Sequence, residues 1–215
     1  PSGLDSPLLD LLNARYIIVP ADIPEGRADL QTAVDSFPTV YQDDDVRILE
    51  RTSAAPQGWI VHEARSAQAA VARELVENGS IDPYEVALID RASDLDGTAP
   101  SDGNDTVTVL ESEPEIMRYQ VSTSAPGMLV TSEVAYPAWK AYIDGKPIEI
   151  ATAFGLLRAV AIPAGTHEVE FRFESPNEVW GMALTIVTIL ATGVLLAWSR
   201  LEKNPQQLCV KPTVL

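Results

Sequence analysis

The chain has 215 residues, with 31 acidic against 15 basic side chains, a formal net charge of -16 and a pI near 4.4. That balance excludes nucleic acid as a partner, because phosphate binding needs a basic footprint that so acidic a surface cannot supply. Hydrophobic residues make up 46% and charged ones 21%, too much apolar material for disorder, and the single Cys209 excludes an intrachain disulfide framework or a cysteine-based zinc site. The sequence opens on Pro1 without a basic stretch leading into an apolar one, so no signal peptide is expected and the chain reads as part of a longer polypeptide.

Ser6-Pro7 is a helix start, with Ser as the cap and Pro at the first helical position, and Leu8, Leu9, Leu11 and Leu12 carry a short apolar helix to about Asn13. Arg15 to Val19 is rich in β-branched and aromatic residues and predicts a strand. Val46 to Glu50 predicts another, with Trp59 to His62 as its expected pairing partner. Ser66 is expected to cap a helix running to Asn78-Gly79, with Ala67, Val71 and Leu75 on its buried face. Glu85 to Asp90 follows as a strand. Residues 1–92 therefore read as a small α/β unit.

Residues 93–105, SDLDGTAPSDGND, have no apolar periodicity and read as an acidic linker. Beyond it the pattern is strands only: Thr106–Leu110, Ile116–Thr123, Met128–Ala135, Trp139–Ile143, Pro147–Thr152, Leu156–Ile162 and Thr166–Glu174. Asp144-Gly145 predicts a two-residue type I′ hairpin, which needs positive φ at both positions, and Pro163-Ala164-Gly165 predicts a second turn. In the last strand His167, Val169, Phe171 and Phe173 alternate with Glu168, Glu170, Arg172 and Glu174, one face buried and one wetted. Residues 106–178 thus read as an antiparallel β-sandwich, jelly-roll-like in its run of short strands, and the whole chain as α+β, mainly β.

From Val179 to Ser199 no side chain is charged, and 21 helical residues at about 1.5 Å each reach roughly 31 Å, the thickness of a bilayer's hydrocarbon core. Residues 179–199 are therefore predicted as a transmembrane helix. Trp180 and Trp198 bracket it, where indoles favour the headgroup level, and Arg200 and Lys203 follow as further interface anchors. Residues 1–178 carry 30 acidic and 12 basic groups, whereas residues 200–215 carry one acidic and three basic. The positive-inside rule then places the tail 200–215 in the cytoplasm and residues 1–178 outside, close to the membrane surface. The lipid bilayer is the first expected partner.

The segment GMLVTSEVAYPAWKAYIDGKPIEIATAFGLLRAVAIPAGTHEVEFRFES, followed by that helix, resembles the C-terminal part of the YfhO family of bacterial polytopic membrane proteins. The shared elements are the strand Leu129 to Glu133, the corner Tyr136-Pro137-Ala138-Trp139-Lys140, the hairpin Asp144-Gly145-Lys146-Pro147, and Pro163 to His167 before the last strand. Upstream, LLDLLNARYIIV and VRILERTSAAPQGWIV resemble the family more loosely, with Gln57 where an Arg often stands. The resemblance implies an integral membrane protein of glycosyltransferase C type, with many further N-terminal helices, that transfers sugars from polyprenyl-phosphate carriers to cell-envelope polymers. In such proteins the catalytic carboxylates usually lie in a loop between N-terminal helices, which implies an accessory, non-catalytic role for this part and no cofactor in it. The rival reading is a membrane-anchored surface module that binds glycans or proteins without enzymatic activity.

Asp43-Asp44-Asp45 contains an Asp-x-Asp pattern able to hold Mg²⁺ or Mn²⁺ against a sugar phosphate, but an acidic turn joining Tyr41 to the strand at Val46, common in so acidic a chain, is the better reading and the one taken. Measured from Asp94, the acidic linker fails the EF-hand template, with Ala99 in place of Gly and Asp105 in place of Glu. His62 and His167 have no metal-ligand spacing, and no Gly-x-Ser-x-Gly elbow or Walker loop occurs, so no catalytic or metal residue is assigned. Tyr136, Tyr142 and Trp139 are the glycan-contact residues expected, because aromatic faces stack on sugar rings, although Trp139 also suits the core. Lys140, Lys146 and Arg158 are basic groups placed to meet lipid phosphates or simply to face solvent. Cys209 reads as a free thiol.

Overall fold

Ser6 caps the first helix, α1 (Pro7–Leu11), through its Oγ, which accepts from the backbone N–H of Leu8 at 3.3 Å. In this computed structural model, which describes residues 3–95 and 103–202, the chain then enters β1 (Tyr16–Pro20), α2 (Ala28–Ser36), β2 (Thr39–Gln42) and β3 (Val46–Glu50). These strands form a three-stranded sheet in the order β1-β3-β2, and Ile17, Val19 and Leu49 pack from it against Leu30 and Ala33 of α2. Segments α2 and β2 escape sequence reading because α2 is short and mixed, and β2 is exposed along its whole length.

The strand predicted over Trp59–His62 is β4 (Gly58–Val61), but it does not pair with β3. Both edges of β3 are already taken by β1 and β2, so β4 pairs antiparallel with β9 (Gly127–Val134). Ser66 caps no helix. It ends β5 (Glu63–Ser66), which runs parallel to β6 (Val86–Ile89), and α3 (Ala69–Glu77) begins after Gln68 without a side-chain cap. The buried face of α3 is Ala72 and Val76 with Leu75 beside them, while Val71 is exposed. Its C-terminus closes as expected, on Gly79 with φ +70°.

After residues 93–105 come β7 (Thr106–Ser112), β8 (Ile116–Thr123), β9, β10 (Trp139–Ile143), β11 (Lys146–Ile148), β12 (Ala151–Ala153), β13 (Leu157–Ile162) and β14 (Gly165–Phe173). The predicted single strand Pro147–Thr152 is divided: β11 belongs to a five-stranded sheet, β11-β10-β14-β8-β7, and β12 to a six-stranded one, β4-β9-β13-β12-β6-β5. The two sheets face each other. Met117, Tyr119, Val121, Val169 and Phe171 of one meet Leu129, Val160 and Ile162 of the other, an antiparallel sandwich core. On its second face the six-stranded sheet packs Val61, Val130, Leu157 and Ala159 against Leu11 of α1 and Ala72 and Val76 of α3. Strands from both sides of residues 93–105 thus share one sheet, and the chain up to Phe173 is a single unit.

The second unit begins at Glu174 and contains α4 (Pro176–Glu202), 27 residues and so about 40 Å long. Its stretch Trp180–Trp198 has a mean hydropathy of 2.0 and no part of it is buried within the protein, so it is long and apolar enough to cross a bilayer. Thr185, Thr188 and Thr192 each donate their hydroxyl to the carbonyl four residues back, at 2.8 Å, which satisfies these polar groups inside the apolar helix. Trp180 and Trp198 are exposed at the ends of this stretch. The side chain of Arg200, and Lys203 and Cys209 altogether, lie outside the described residues.

Candidate functional site

The chain crosses between the two sheets at Ala135–Ala138, going from β9 to β10, and returns at Glu149-Ile150, going from β11 to β12. Between these crossings lies a groove of about 500 Å³, lined by Arg91, Tyr136, Trp139, Lys140, Ile148, Glu149 and Thr152 among others. A turn fixes its first wall: the N–H of Ala135 donates to Leu156 O at 2.8 Å, and that of Trp139 to Tyr136 O at 3.0 Å. The return crossing is braced by Arg91, whose guanidinium donates to Glu149 Oε2 and to the carbonyl of Ile150, both at 2.8 Å.

Tyr136 is 62% exposed. One face of its ring stacks on Phe173, with centroids 6.3 Å apart and planes 19° from parallel. Trp139 meets the same Phe173 edge-on at 5.4 Å, and its other partner is the guanidinium of Arg158, 4.0 Å from the ring centroid. Of the two aromatic residues, Trp139 is therefore the packed wall and Tyr136 the open platform. Lys140 is exposed at the lip.

Tyr142 lies elsewhere. Alternation along β10 turns it to the opposite face of the five-stranded sheet, into a depression shared with Asp144, Glu168, Glu170 and Arg172, where the Arg172 guanidinium covers its ring at 5.4 Å. Lys146 is exposed beside the β10–β11 turn. Arg158, expected to reach lipid phosphate or solvent, does neither, because it is 1% exposed inside the sandwich. It pairs there with Glu133 at 3.3 Å, and burial pushes its pKa down against the pull of that carboxylate. Its Nε and Nη1 have no hydrogen-bond partner among the described residues. A lone Arg within the apolar run Leu156 to Ile162 is the signal that would have found this burial; nothing in the sequence marks Arg91 or Glu149 as groove residues.

The remaining polar groups are structural. Asp43 forms the turn between β2 and β3, with Oδ1 accepting from the N–H groups of Asp45 and Val46, and these bonds hold its carboxyl below the usual range. His62 bridges Pro126 O at 2.9 Å and Asp105 Oδ2 at 2.7 Å. His167 Nδ1 meets Asp144 Oδ2 at 2.7 Å, which raises the imidazole pKa and lowers that of the carboxyl. Burial pushes the Tyr119 phenol up to about 12. Among the described residues no three His, Cys, Asp or Glu side chains gather closely enough to hold a metal ion. The site's own groups thus supply stacking, hydrogen bonding and one flexible cation.

Fold and groove together define a class: an α+β chain, mostly sheet, with a β-sandwich and a C-terminal helix able to cross a membrane. Compared with known proteins, it matches no family model, no curated sequence and no solved structure.

Proposed function

We propose that the chain is a membrane-anchored, extracytoplasmic glycan-binding portion of an envelope glycosyltransferase of C type, and that it holds a glycan in the groove between the two sheet crossings. The observation that carries this reading is Tyr136: an aromatic ring fixed from behind by Phe173 and open in front, beside polar groups suited to sugar hydroxyls. Sugar recognition needs that combination, an apolar face for the ring's C–H surface and hydrogen-bonding groups at its edge. The link to a transferase that uses polyprenyl-phosphate sugars is supported by the Tyr136-Pro137-Ala138-Trp139 and Asp144-Gly145 motifs and their YfhO resemblance. The outward placement of the acidic part is supported by the charge asymmetry across the span.

The test is calorimetry on the full chain in nanodiscs, titrated with solubilised envelope polysaccharide and with polyprenyl-phosphate sugar. Saturable binding that weakens on Tyr136→Ala supports the reading, and no heat from either ligand removes it. The transferase link fails separately if the complete gene product has no multi-span half.

A further inference from the structure

An asparagine two residues before Ser or Thr, with any residue but Pro between, is the acceptor pattern for N-linked glycosylation. The pattern occurs at Asn78-Gly79-Ser80 and at Asn104-Asp105-Thr106, both before α4. Transfer also needs an exposed segment, an amide nitrogen without a competing hydrogen bond, and room for the sugar.

At Asn78 all of these coincide. Asn78, Gly79 and Ser80 are exposed. Asn78 is the C-cap of α3, and the helix closes through Gly79 N–H to Val76 O at 3.1 Å and Ser80 N–H to Leu75 O at 3.0 Å, with Gly79 left-handed. The Asn78 side chain folds over this turn. Its Oδ1 accepts from Ser80 N–H at 2.9 Å, which sets the carboxamide beside the residue whose hydroxyl completes the pattern. Nδ2, the atom that receives the sugar, has no hydrogen-bond partner among the described residues, and nothing lies within 4 Å of the side-chain position at Gly79. A shallow groove of about 400 Å³, lined in part by Gly79, Ile81, Pro83 and Tyr84, runs alongside and gives the first sugar a surface to rest on.

Asn104 is exposed too, but the next two residues are held: Asp105 by His62 at 2.7 Å, and Thr106 in register with Ser122 as the first residue of β7. Asp105 is thus only partly exposed, whereas Gly79 and Ser80 are both exposed.

We propose that Asn78 is a site of N-linked glycosylation. The donor class is an oligosaccharide on a polyprenyl phosphate or pyrophosphate. A bond forms between Nδ2 and the sugar's anomeric carbon as that carbon's bond to the carrier phosphate oxygen breaks; the phosphate leaves with the electron pair, and one amide proton is released to base. The modification rests on the outward placement of residues before α4, since such donors are presented on the outer face.

The experiment is peptide mass spectrometry on the full chain purified from membranes of the organism that makes it, with and without an amidase that converts glycosylated Asn to Asp. The expected result is a glycan mass on the Asn78 peptide in most molecules, lower occupancy at Asn104, loss of the Asn78 mass on Asn78→Gln or Ser80→Ala, and its retention on Ser80→Thr. Unmodified Asn78 in the wild-type chain, or a mass that survives Ser80→Ala, overturns the proposal. Protease added to sealed cells separates the two layers. Cleavage before α4 with Asn78 bare sinks the acceptor alone, whereas protection with Asn78 bare sinks the outward placement as well.

Discussion

The guanidinium of Arg158 lies 4.0 Å from the centroid of the Trp139 ring, inside the sandwich, so a buried cation backs the aromatic wall of the groove. Arg158 also sits 5.1 Å from the Phe171 ring, and its ion-pair partner, Glu133, is 42% exposed. With two of its nitrogens lacking a hydrogen-bond partner among the described residues, the charge contributes little net stability, and an apolar side chain of similar length fills the same space. Arg158→Met is expected to unfold in denaturant within about 1 kcal/mol of wild type, since Glu133 can turn to water. Arg158→Ala opens a cavity under Trp139 and is expected to cost about 2–4 kcal/mol, with a shift in tryptophan emission. Equal losses in the two variants would show that the charge itself matters.

Arg51 is the opposite case, a buried guanidinium fully engaged. It meets Asp10 Oδ1 at 2.7 Å, donates to the carbonyls of Leu4 and Ser6, and lies 4.8 Å from the Phe37 ring. Removing its counter-ion leaves a charge at 2% exposure without compensation. Asp10→Ala is therefore expected to destabilise the chain by about 3–5 kcal/mol. Arg51→Lys is expected to lose most of that as well, because a single ammonium cannot replace the planar fork. Chemical denaturation of the full chain in detergent checks both.

His167 and Asp144 tie the tip of the β10–β11 hairpin to β14. The folded pKa of His167 is raised above its ordinary 6.5, chiefly by the Asp144 hydrogen bond, so its contribution is complete below that value and fades as pH rises through the folded one. The pKa of Asp144 is lowered below 3.8, first by His167, so its contribution is present above that value and is lost as pH falls through the folded one. The melting temperature is therefore expected to decline as pH rises above 6.5 in wild type, and His167→Gln to flatten that decline. An unchanged profile in the variant would show that the pair does not govern it.

Gly155, in the β12–β13 turn at φ +64°, faces the first turn of α3. A Cβ there would lie 2.6 Å from that of Ala69 and 2.7 Å from two Ala69 backbone atoms. Backbone cannot retreat as a flexible side chain does, and the left-handed conformation adds about 1–2 kcal/mol of strain for any other residue. Gly155→Ala is expected to lose more than that in denaturant unfolding, whereas Gly26→Ala, with φ +84° and open space, is expected to show the strain alone.

Tyr136→Ala is expected to weaken glycan binding at least tenfold, about 1.4 kcal/mol, without changing the melting temperature, because the ring is mostly exposed. Tyr142→Ala is expected to leave binding intact, since that ring lies in a different depression. Calorimetry on both variants separates the groove from the opposite face; a loss with Tyr142→Ala alone would move the site.

Local chemistry made much of the architecture legible. Ser6-Pro7, Asp144-Gly145 and the strict alternation of β14 each specify their conformation within a few residues, and the capped helix, the hairpin and the strand stand where those residues place them. The candidate site was legible only in part. Tyr136 and Trp139 stood out by type, but their separation from Tyr142 depends on which face of β10 meets the core.

What the sequence determined by itself was the alternation of short strands, the turns, and a charge-free stretch long enough to cross a bilayer, since each depends on neighbours along the chain. Only the tertiary structure decided that β4, β5 and β6 complete the sheet of β9, β12 and β13 across the acidic segment, that Arg158 is interior, and that α3 buries Ala72 and Val76. Strand partners are chosen by unfilled edges and complementary apolar faces far apart in sequence, and no local pattern encodes which distant edge remains open.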